Sequence, residues 1–312
     1  MTLSQPRAVE HTVTVSAPAA DIYHLLADVR SWPRLFPPTI YVDHLERARD
    51  TERIRIWATA NGVVNNWTSR RVLDRENLRI DFRQEVSRPP VAEMGGAWIV
   101  EPLSATESRV RLLHDYRADA AENLDWVDRA VDTNSRSELT ALKSNVELGQ
   151  AGEDRSLSFE DTVEIRGSVS EVYAFINEAN LWSERLPHVS SVRLDEDEAG
   201  LQTLEMETRS PDGSTHTTKS YRVTFPDRRI AYKQVTLPAL MSLHTGYWSF
   251  EQRDDVVAVS SQHTFVVNTD NVRGFLGADA TVADAKDYVR DALSNNSRAT
   301  LGHAKAFAEN GR

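Results

Sequence analysis

The sequence contains no cysteine, and this absence removes several kinds of chemistry. Disulfide bonds, thiolate nucleophiles and cysteine-ligated metals all require that residue. A chain without thiols suits a reducing compartment, so we expect a cytoplasmic location. The first ten residues lack the basic and then apolar layout of a secretion signal, which agrees with this expectation.

Long hydrophobic runs and a basic excess are also missing. No stretch of about 18 apolar residues occurs, so we predict no membrane span. Residues 1–150 contain 19 basic and 22 acidic side chains, and residues 151–312 contain 17 and 25. A duplex-binding surface normally carries a basic excess, so nucleic acid is not an expected partner. Because its charge is closer to neutral, the N-terminal half is the better host for an acidic partner.

The signatures of several enzyme classes are absent as well. The nine histidines show no metal-binding spacing, so we expect no metal. No nucleophile elbow and no glycine-rich phosphate loop occurs, which argues against hydrolase, phosphoryl-transfer and dinucleotide chemistry. His244 and His263 lie in strand-like segments of the second half and are interpreted as ordinary surface or hydrogen-bonded residues.

The chain does contain a duplication. Landmarks in residues 11–150 recur in the same order about 150 positions later. The matching landmarks are Trp32 with Trp182, Arg79-Ile80 with Arg229-Ile230, Gly96-Ala97-Trp98 with Gly246-Tyr247-Trp248, and Asn134-Ser135-Arg136 with Asn296-Ser297-Arg298. Solenoid units are about 20–50 residues long, so a period of this length indicates a duplicated domain. We predict one domain at residues 1–150 and a second at residues 151–312.

Both copies show the same order of predicted elements. Val9–Ser16 alternates apolar and polar residues like a half-buried strand, and Pro18 then begins a short helix. A proline-bounded segment at 32–38, strand-like runs separated by turns as far as residue 116, and a helical pattern over 121–148 follow. The expected fold is α+β, with a curved antiparallel sheet around a long C-terminal helix and a cavity between them.

The sharpest local feature is the strand-like segment 66–72, in which Trp67, Ser69 and Arg71 share one face. Directed into a cavity, they would provide an aromatic wall, a hydroxyl and a permanent cation. An arginine in a strand more often faces water, and a strand tryptophan more often belongs to a core, so this structural interpretation stays open. The second copy keeps Ser220 and Arg222 on one face, which favours a functional role.

Tryptophan is abundant, with seven in the chain. Trp32, Trp98, Trp182 and Trp248 pair between the copies. Together with Phe36 they are expected to pack the cores, to line a slot for a flat conjugated ligand, or to do both.

The element order resembles the helix-grip fold of the START and Bet v 1-like proteins. The motif Trp32-Pro33-x-Leu35-Phe36 followed by Trp67-x-Ser69-x-Arg71 resembles the aromatase/cyclases of bacterial type II polyketide synthases, and the tandem copies resemble their didomain class. This resemblance implies an enzyme without cofactor that works beside other synthase subunits. Its substrate would be a poly-β-ketone on an acyl carrier protein, and it would close the first ring between C7 and C12 by aldol addition and loss of water.

The resemblance also implies a set of site residues. Arg71 and Ser69 are the expected catalytic residues, the cation stabilising enolate and alkoxide charge and the hydroxyl orienting a carbonyl or a water. A second pocket arginine of the family matches Arg83, Gln84 or Glu85, of which strand alternation favours Arg83. The implied substrate contacts are Trp32, Phe36, Trp67, Arg83 and Trp98, and the implied pocket residues of the second copy are Trp182, Ser220, Arg222 and Trp248.

We favour the N-terminal copy as the main site, because it has the complete Trp-x-Ser-x-Arg line and Phe36, where the second copy has Thr218 and Leu186. Two other interpretations stay open. A non-catalytic carrier of a hydrophobic small molecule would use the cavity without transforming its ligand. A chaperone-like interaction module would instead show exposed apolar patches and no deep cavity.

Overall fold

The computed structural model describes residues 3–150, 154–209 and 215–310. These residues divide into two compact units, the first ending at Asp154 and the second beginning at Arg155. The predicted boundary at residue 151 falls on 151–153, which lie outside the described residues. Each unit consists of a seven-stranded antiparallel sheet, short helices and one long helix.

The first unit begins with one strand and ends with the long helix. Its elements are β1 (Arg7–Val15), α1 (Ala19–Ala27), a 3-10 turn (Val29–Ser31), α2 (Trp32–Leu35), β2 (Thr39–Arg47), β3 (Thr51–Ala60), β4 (Val63–Asp74), β5 (Arg79–Val86), β6 (Val91–Pro102), β7 (Ser108–Ala118), a 3-10 turn (Ala121–Asn123) and α3 (Leu124–Gln150).

The second unit repeats this order and adds one short helix before the long one. Its elements are β8 (Ser156–Arg166), α4 (Val169–Asn177), a 3-10 turn (Ala179–Leu181), α5 (Trp182–Arg185), β9 (Val189–Glu198), β10 (Leu201–Arg209), β11 (Thr215–Phe225), β12 (Arg229–Thr236), β13 (Met241–Arg253), β14 (Val256–Val267), a 3-10 turn (Thr269–Asn271), α6 (Val272–Leu276) and α7 (Val282–Glu309).

The two sheets have the same topology. The strand order is β1-β7-β6-β5-β4-β3-β2 in the first unit and β8-β14-β13-β12-β11-β10-β9 in the second. The long helix α3 lies against β1 and β7, and α7 lies against β8 and β14. The predicted helix-grip architecture, with a sheet wrapped around a C-terminal helix in each copy, is confirmed. No helix among the described residues is long and apolar enough to cross a membrane.

The pattern of apolar residues explains why the long helices pack where they do. In α3, Val127, Val131, Leu139, Leu142 and Val146 recur at helical spacing, and all five are buried. Burying side chains of this kind contributes about 1.5–3 kcal/mol each. In the second unit, α7 begins at a capping box formed by Thr281 and Asp284, which satisfies backbone donors at the helix start.

Prolines keep the helix that follows α1 short. The helix α2 covers only Trp32–Leu35, with Pro33 in its first turn, and Pro37 and Pro38 follow its end. Because proline has no backbone N–H, Pro37 and Pro38 cannot donate the hydrogen bonds that would continue the helix. The chain therefore leaves the helix and continues into β2. As a result, Trp32 and Phe36 lie at the two ends of a single turn and are directed into the core of the first unit.

One glycine in each sheet marks a close approach between strands. A Cβ atom placed on Gly96 would lie 1.8 Å from the carbonyl oxygen of Leu113, and one placed on Gly246 would lie 2.0 Å from that of Gln262. No side chain fits at either position, so both sheets require glycine there. The equivalent places of these two glycines show that the copies share backbone detail as well as topology.

Candidate functional site

The first unit contains a cavity of about 130 Å³ between its sheet and α3. Residues from the inner face of the sheet, the 88–90 loop and α3 form its wall. They are Trp32, Thr39, Ile56, Ala58, Ala60, Asn65, Trp67, Gln84, Arg88, Pro89, Pro90, Val91, Met94, His114, Trp126, Val127, Ala130, Val131, Asn134, Ser135 and Glu138. The wall is mostly apolar with a few polar groups, as small-molecule sites usually are.

The aromatic residues of the sequence motif are brought together, but only some reach the cavity. Trp32 and Trp67 line it. Phe36 packs behind Trp32 with their ring centroids 5.4 Å apart, and it stacks on Trp98 at 5.8 Å with an interplanar angle of 8°. Phe36 and Trp98 therefore support the cavity wall from the core, and their predicted direct contact with substrate is not seen in this geometry.

Arg71 faces inward, as strand alternation predicts, but its guanidinium does not line the cavity. Its Nη1 donates to Glu52 Oε1 at 2.5 Å, and its Nη2 donates to the carbonyl oxygen of Leu26 at 2.7 Å. Burial lowers the pKa of Arg71 to about 10, and the charge of Glu52 opposes that shift. Arg71 is thus a neutralised cation that binds the end of α1. The expectation that its free charge enters the cavity is wrong.

Arg71 still touches the cavity wall indirectly. Its guanidinium carbon lies 4.9 Å from the ring centroid of Trp32, within the range of a cation–π contact. Trp32 lines the cavity and packs against the core on its other side. The guanidinium of Arg71 therefore helps to hold this wall residue in place. This makes it a positioning residue in the structure.

Ser69 and Arg83 also differ from the sequence expectation. Ser69 is buried, and its hydroxyl donates to the carbonyl oxygen of Arg83 at 3.1 Å, next to a register shift between β4 and β5. Arg83 lies on the outer face of the sheet and forms a two-pronged ion pair with Asp115 at 2.6 and 2.9 Å. The prediction that Arg83 is a pocket arginine is wrong, and its neighbour Gln84 lines the cavity instead.

The most informative residue that sequence reasoning missed is Glu138 on α3. Its carboxyl faces the cavity, and no hydrogen bond or ion pair to it is found in the described part of the chain. Burial raises the pKa of Glu138 to about 8, with no nearby cation to oppose the shift. An unpaired glutamate among the apolar positions of a long helix is the sequence signal that would have identified it.

Three further polar groups of the first cavity lack hydrogen-bond partners among the described residues. They are Gln84 Oε1, His114 Nδ1 and Ser135 Oγ, each buried. Burial also lowers the pKa of His114 to about 4, so its imidazole is neutral near pH 7. Buried polar groups without partners are uncommon in proteins, and here they offer hydrogen bonds to a bound molecule.

The second unit has its own cavity, of about 140 Å³. All four residues predicted for it line its wall: Trp182, Ser220, Arg222 and Trp248. His244 and His263 line it too and are buried, so their interpretation as ordinary residues misses their place in this cavity.

The two equivalent arginines have different partners across the sheet. Glu52 is opposite Arg71 in the β3–β4 register, whereas Gln202 is opposite Arg222 in the β10–β11 register. Arg222 keeps its bond to the end of α4, donating to the carbonyl oxygen of Ile176 at 2.8 Å. No carboxylate lies within ion-pair distance of Arg222 in the described ranges, and the charge of Glu196 acts on it only from farther away, so Arg222 has no ion-pair partner there.

Comparison with known proteins agrees with this geometry. Family models described as "Polyketide cyclase / dehydrase and lipid transport" match residues 15–140 and residues 156–300. The granaticin polyketide synthase bifunctional cyclase/dehydratase of Streptomyces virginiae is 54% identical over 94% of this chain and 97% of its own length. The actinorhodin polyketide synthase bifunctional cyclase/dehydratase of Streptomyces coelicolor is 44% identical over 96% of this chain and 96% of its own length.

Two crystal structures of di-domain proteins superimpose on nearly the whole chain. The di-domain ARO/CYC BexL from the BE-7585A biosynthetic pathway gives a TM-score of 0.89 at 60% identity, covering 97% of this chain and 99% of its own. The di-domain ARO/CYC StfQ from the steffimycin biosynthetic pathway gives a TM-score of 0.87 at 32% identity, covering 97% and 98%. The chain therefore belongs to the didomain aromatase/cyclases of bacterial type II polyketide synthases.

Proposed function

We propose that this enzyme closes and aromatises the first ring of a poly-β-ketone, between C7 and C12, while the chain is attached to an acyl carrier protein. The observation that carries the proposal is the first cavity with Glu138 in its wall. The cavity volume of about 130 Å³ is comparable to the engineered cavity of about 150 Å³ that holds one benzene molecule. A cavity of this size suits the folding of one six-carbon segment rather than of the whole chain.

Ring closure needs proton transfer and shape more than strong activation, because a poly-β-ketone is already reactive. A proton moves from a carbon between two carbonyls to one of their oxygens, which gives an enol. The enol carbon then attacks a ketone carbon, the ketone oxygen gains a proton, and the enol oxygen releases its proton and becomes a carbonyl again. Trp32 and Trp67 hold the segment in a conformation close to attack. The unpartnered polar atoms of Gln84, His114 and Ser135 offer hydrogen bonds to the polyketide and so determine where its polar groups lie in the cavity.

Glu138 supplies the proton for the ketone oxygen. Its raised pKa, about 8, keeps the carboxyl protonated near pH 7, which is the form that a general acid requires. The carboxylate then recovers a proton from the enol hydroxyl, which becomes a carbonyl as the ring closes. Arg71 does not carry this chemistry; its role in the proposal is to hold Trp32 in place.

An exposed cation, Arg88, lies at the wall of the first cavity in the loop before β6. An acidic carrier protein is better accommodated beside the less acidic unit, which is the first one. We place carrier docking at the 88–90 loop on this ground.

The test is a reconstituted synthase that contains carrier protein, ketosynthase and either the wild-type chain or the variant Glu138→Gln. We expect the variant to form ring product about 10²–10⁴-fold more slowly, with spontaneous shunt products in its place. Glu122→Gln is the control, because Glu122 is exposed in the turn before α3.

Two results would contradict the proposal. Unchanged rate and product pattern in Glu138→Gln would remove Glu138 from the mechanism. The wild-type protein could also bind the polyketide tightly and give the same products as a synthase without it. That result would support the non-catalytic carrier instead.

A further inference from the structure

The second cavity contains a continuous hydrogen-bonded line of side chains, which we call the His relay: the half-buried Gln234 and the buried His244, His263 and Ser297. Gln234 Oε1 lies 2.9 Å from His244 Nδ1, and His244 Nε2 lies 3.0 Å from His263 Nδ1. His263 Nε2 lies 2.6 Å from Ser297 Oγ. All members of the His relay line the cavity, so a molecule bound there would meet each of them.

Two hydroxyl groups branch from His263. The phenol oxygen of Tyr232 lies 2.8 Å from its Nδ1, and Ser261 Oγ lies 3.0 Å from its Nε2. The imidazole of His263 is stacked between the ring of Phe159 at 5.1 Å and the ring of His244 at 5.3 Å. Both nitrogens of His263 therefore face a hydroxyl, and the ring is held in one orientation.

The histidines of the His relay are neutral near pH 7. Burial lowers the pKa of His263 to about 4 and also lowers that of His244. A neutral imidazole carries one N–H donor and one bare acceptor nitrogen. It can accept a proton at one nitrogen while it releases another from the opposite side, so the line conducts a proton without holding a net charge.

The first unit does not repeat this arrangement, although its backbone is equivalent. The strand registers place Phe82 where Tyr232 lies and Leu112 where Ser261 lies. Met94 occupies the place of His244, two residues before the glycine of the close approach. Of the His relay's imidazoles only the equivalent of His263 is present, as His114, and its Nδ1 has no partner among the described residues.

We propose that the second cavity is a separate acid–base site that removes water from a β-hydroxy ketone formed by ring closure; this rests on the proposed function. An imidazole of the His relay takes the carbon-bound proton, and the electron pair of that C–H bond forms the new C=C bond. The C–O bond breaks, and the hydroxyl group leaves as water with a proton returned from Tyr232 or Ser297. One water is lost in total, and the His relay ends with the protons it began with.

Arg222 completes this site. Its guanidinium lines the same cavity, without a neutralising carboxylate in the described residues, and so stabilises negative charge on the ketone oxygen as the C–H bond breaks. An unneutralised cation and a neutral base in one cavity are what proton removal next to a carbonyl requires. In the first cavity the same arginine is neutralised, and a carboxylic acid takes its place in the wall.

The test uses the full-length chain in the reconstituted synthase, with substitutions that insert the residues of the first unit: Tyr232→Phe and His244→Met. We expect the linear polyketide to be consumed at the wild-type rate. The cyclised product that is one water heavier than the aromatic ring should accumulate at least about tenfold relative to the wild type, since general acid–base groups contribute at least that much. His263→Ala should show the same defect, and added imidazole should partly restore water loss.

His24→Gln is the control, because His24 is exposed on α1. Aromatic product at the wild-type rate in both Tyr232→Phe and His244→Met would overturn the proposal. So would the joint loss of ring closure and water loss in a variant whose circular dichroism is unchanged, because the His relay would then not be specific to water loss. Absence of any cyclised product with the wild-type chain would instead refute the proposed function itself.

Discussion

Arg71 and Arg222 occupy the same place in two copies of one fold, yet they differ in what surrounds their charge. Both are buried, both bind the last carbonyls of the first helix in their unit, and both lie over a tryptophan. One residue on the neighbouring strand separates them, Glu52 in the first unit and Gln202 in the second. With the glutamate the arginine is a closed ion pair; with the glutamine it lines the cavity as an unneutralised cation.

This difference shows that one substitution beside a shared residue can change the chemistry of a duplicated domain. The first cavity has an acid, Glu138, and polar atoms without partners. The second has Thr300 at the place of Glu138, and it has a satisfied line of imidazoles and hydroxyls instead. The shapes are alike, whereas the proton chemistry is not.

The largest effect that would sharpen this comparison is on stability. We expect Arg71→Met to lower the free energy of unfolding by about 3–5 kcal/mol, because the buried Glu52 loses its guanidinium partner and keeps its contact with His44. Arg222→Met should cost less, since it strands no carboxylate. Urea unfolding followed by tryptophan fluorescence measures both. Equal losses in the two variants would show that the ion pair does not distinguish the units.

The rate of ring closure should depend on pH through Glu138, which the second cavity does not have. Glu138 donates its proton only below its pKa of about 8, so ring closure should fall about tenfold per pH unit above that value. Stability should also depend on pH, because the pKa of Glu138 in the folded state is raised above the ordinary 4.5. The contribution of Glu138 to the free energy of unfolding is full below pH 4.5 and is lost as pH rises through about 8. Ring closure measured across this range in the wild type and in Glu138→Gln checks the first expectation; a falling limb that persists in the variant would assign it to another group.

Arg222→Met should have a smaller effect on catalysis than removal of Glu138. We expect water loss to slow about tenfold, the equivalent of about 1.4 kcal/mol, because one charge-stabilising contact is lost from a site that keeps its base. The ratio of hydroxylated to aromatic ring product reports this directly. A change in the rate of ring closure instead would place Arg222 in the earlier step.

Arg83→Ala should have the smallest effect. Arg83 and Asp115 form an exposed ion pair on the outer face, with about half of each side chain accessible to solvent. Such pairs contribute about 0–1 kcal/mol, and we expect no change in the products. Thermal unfolding and product profiling check this expectation, and an altered product pattern would restore a functional role for Arg83.

Sequence reasoning predicted the fold well, because the duplication and the two periodicities are local signals. The alternation in Val9–Ser16 and the helical spacing of Leu139, Leu142 and Val146 are read directly from the chain. The short helix α6 was missed, because its five residues are too few for a periodic pattern.

The sites were predicted less completely, for a physical reason. Strand alternation assigns a residue to a face, but it does not tell what else occupies that face. Arg71 does point inward, yet Glu52, some twenty positions earlier, takes its charge. In the same way, the line from Gln234 to Ser297 joins four secondary-structure elements, and no sequence spacing links residues that far apart.

The glycine pair at 96 and 246 has a practical consequence for redesign. Each backbone approaches its neighbour so closely there that any side chain would push the two strands apart. Phe82 and Tyr232 lie against these glycines, so an exchange of Phe82 with Tyr232 and of Met94 with His244 between the halves should keep both glycines in place. Holding the two glycines constant and transplanting the neighbouring side chains gives a route to building two acids, or two imidazole lines, into one chain.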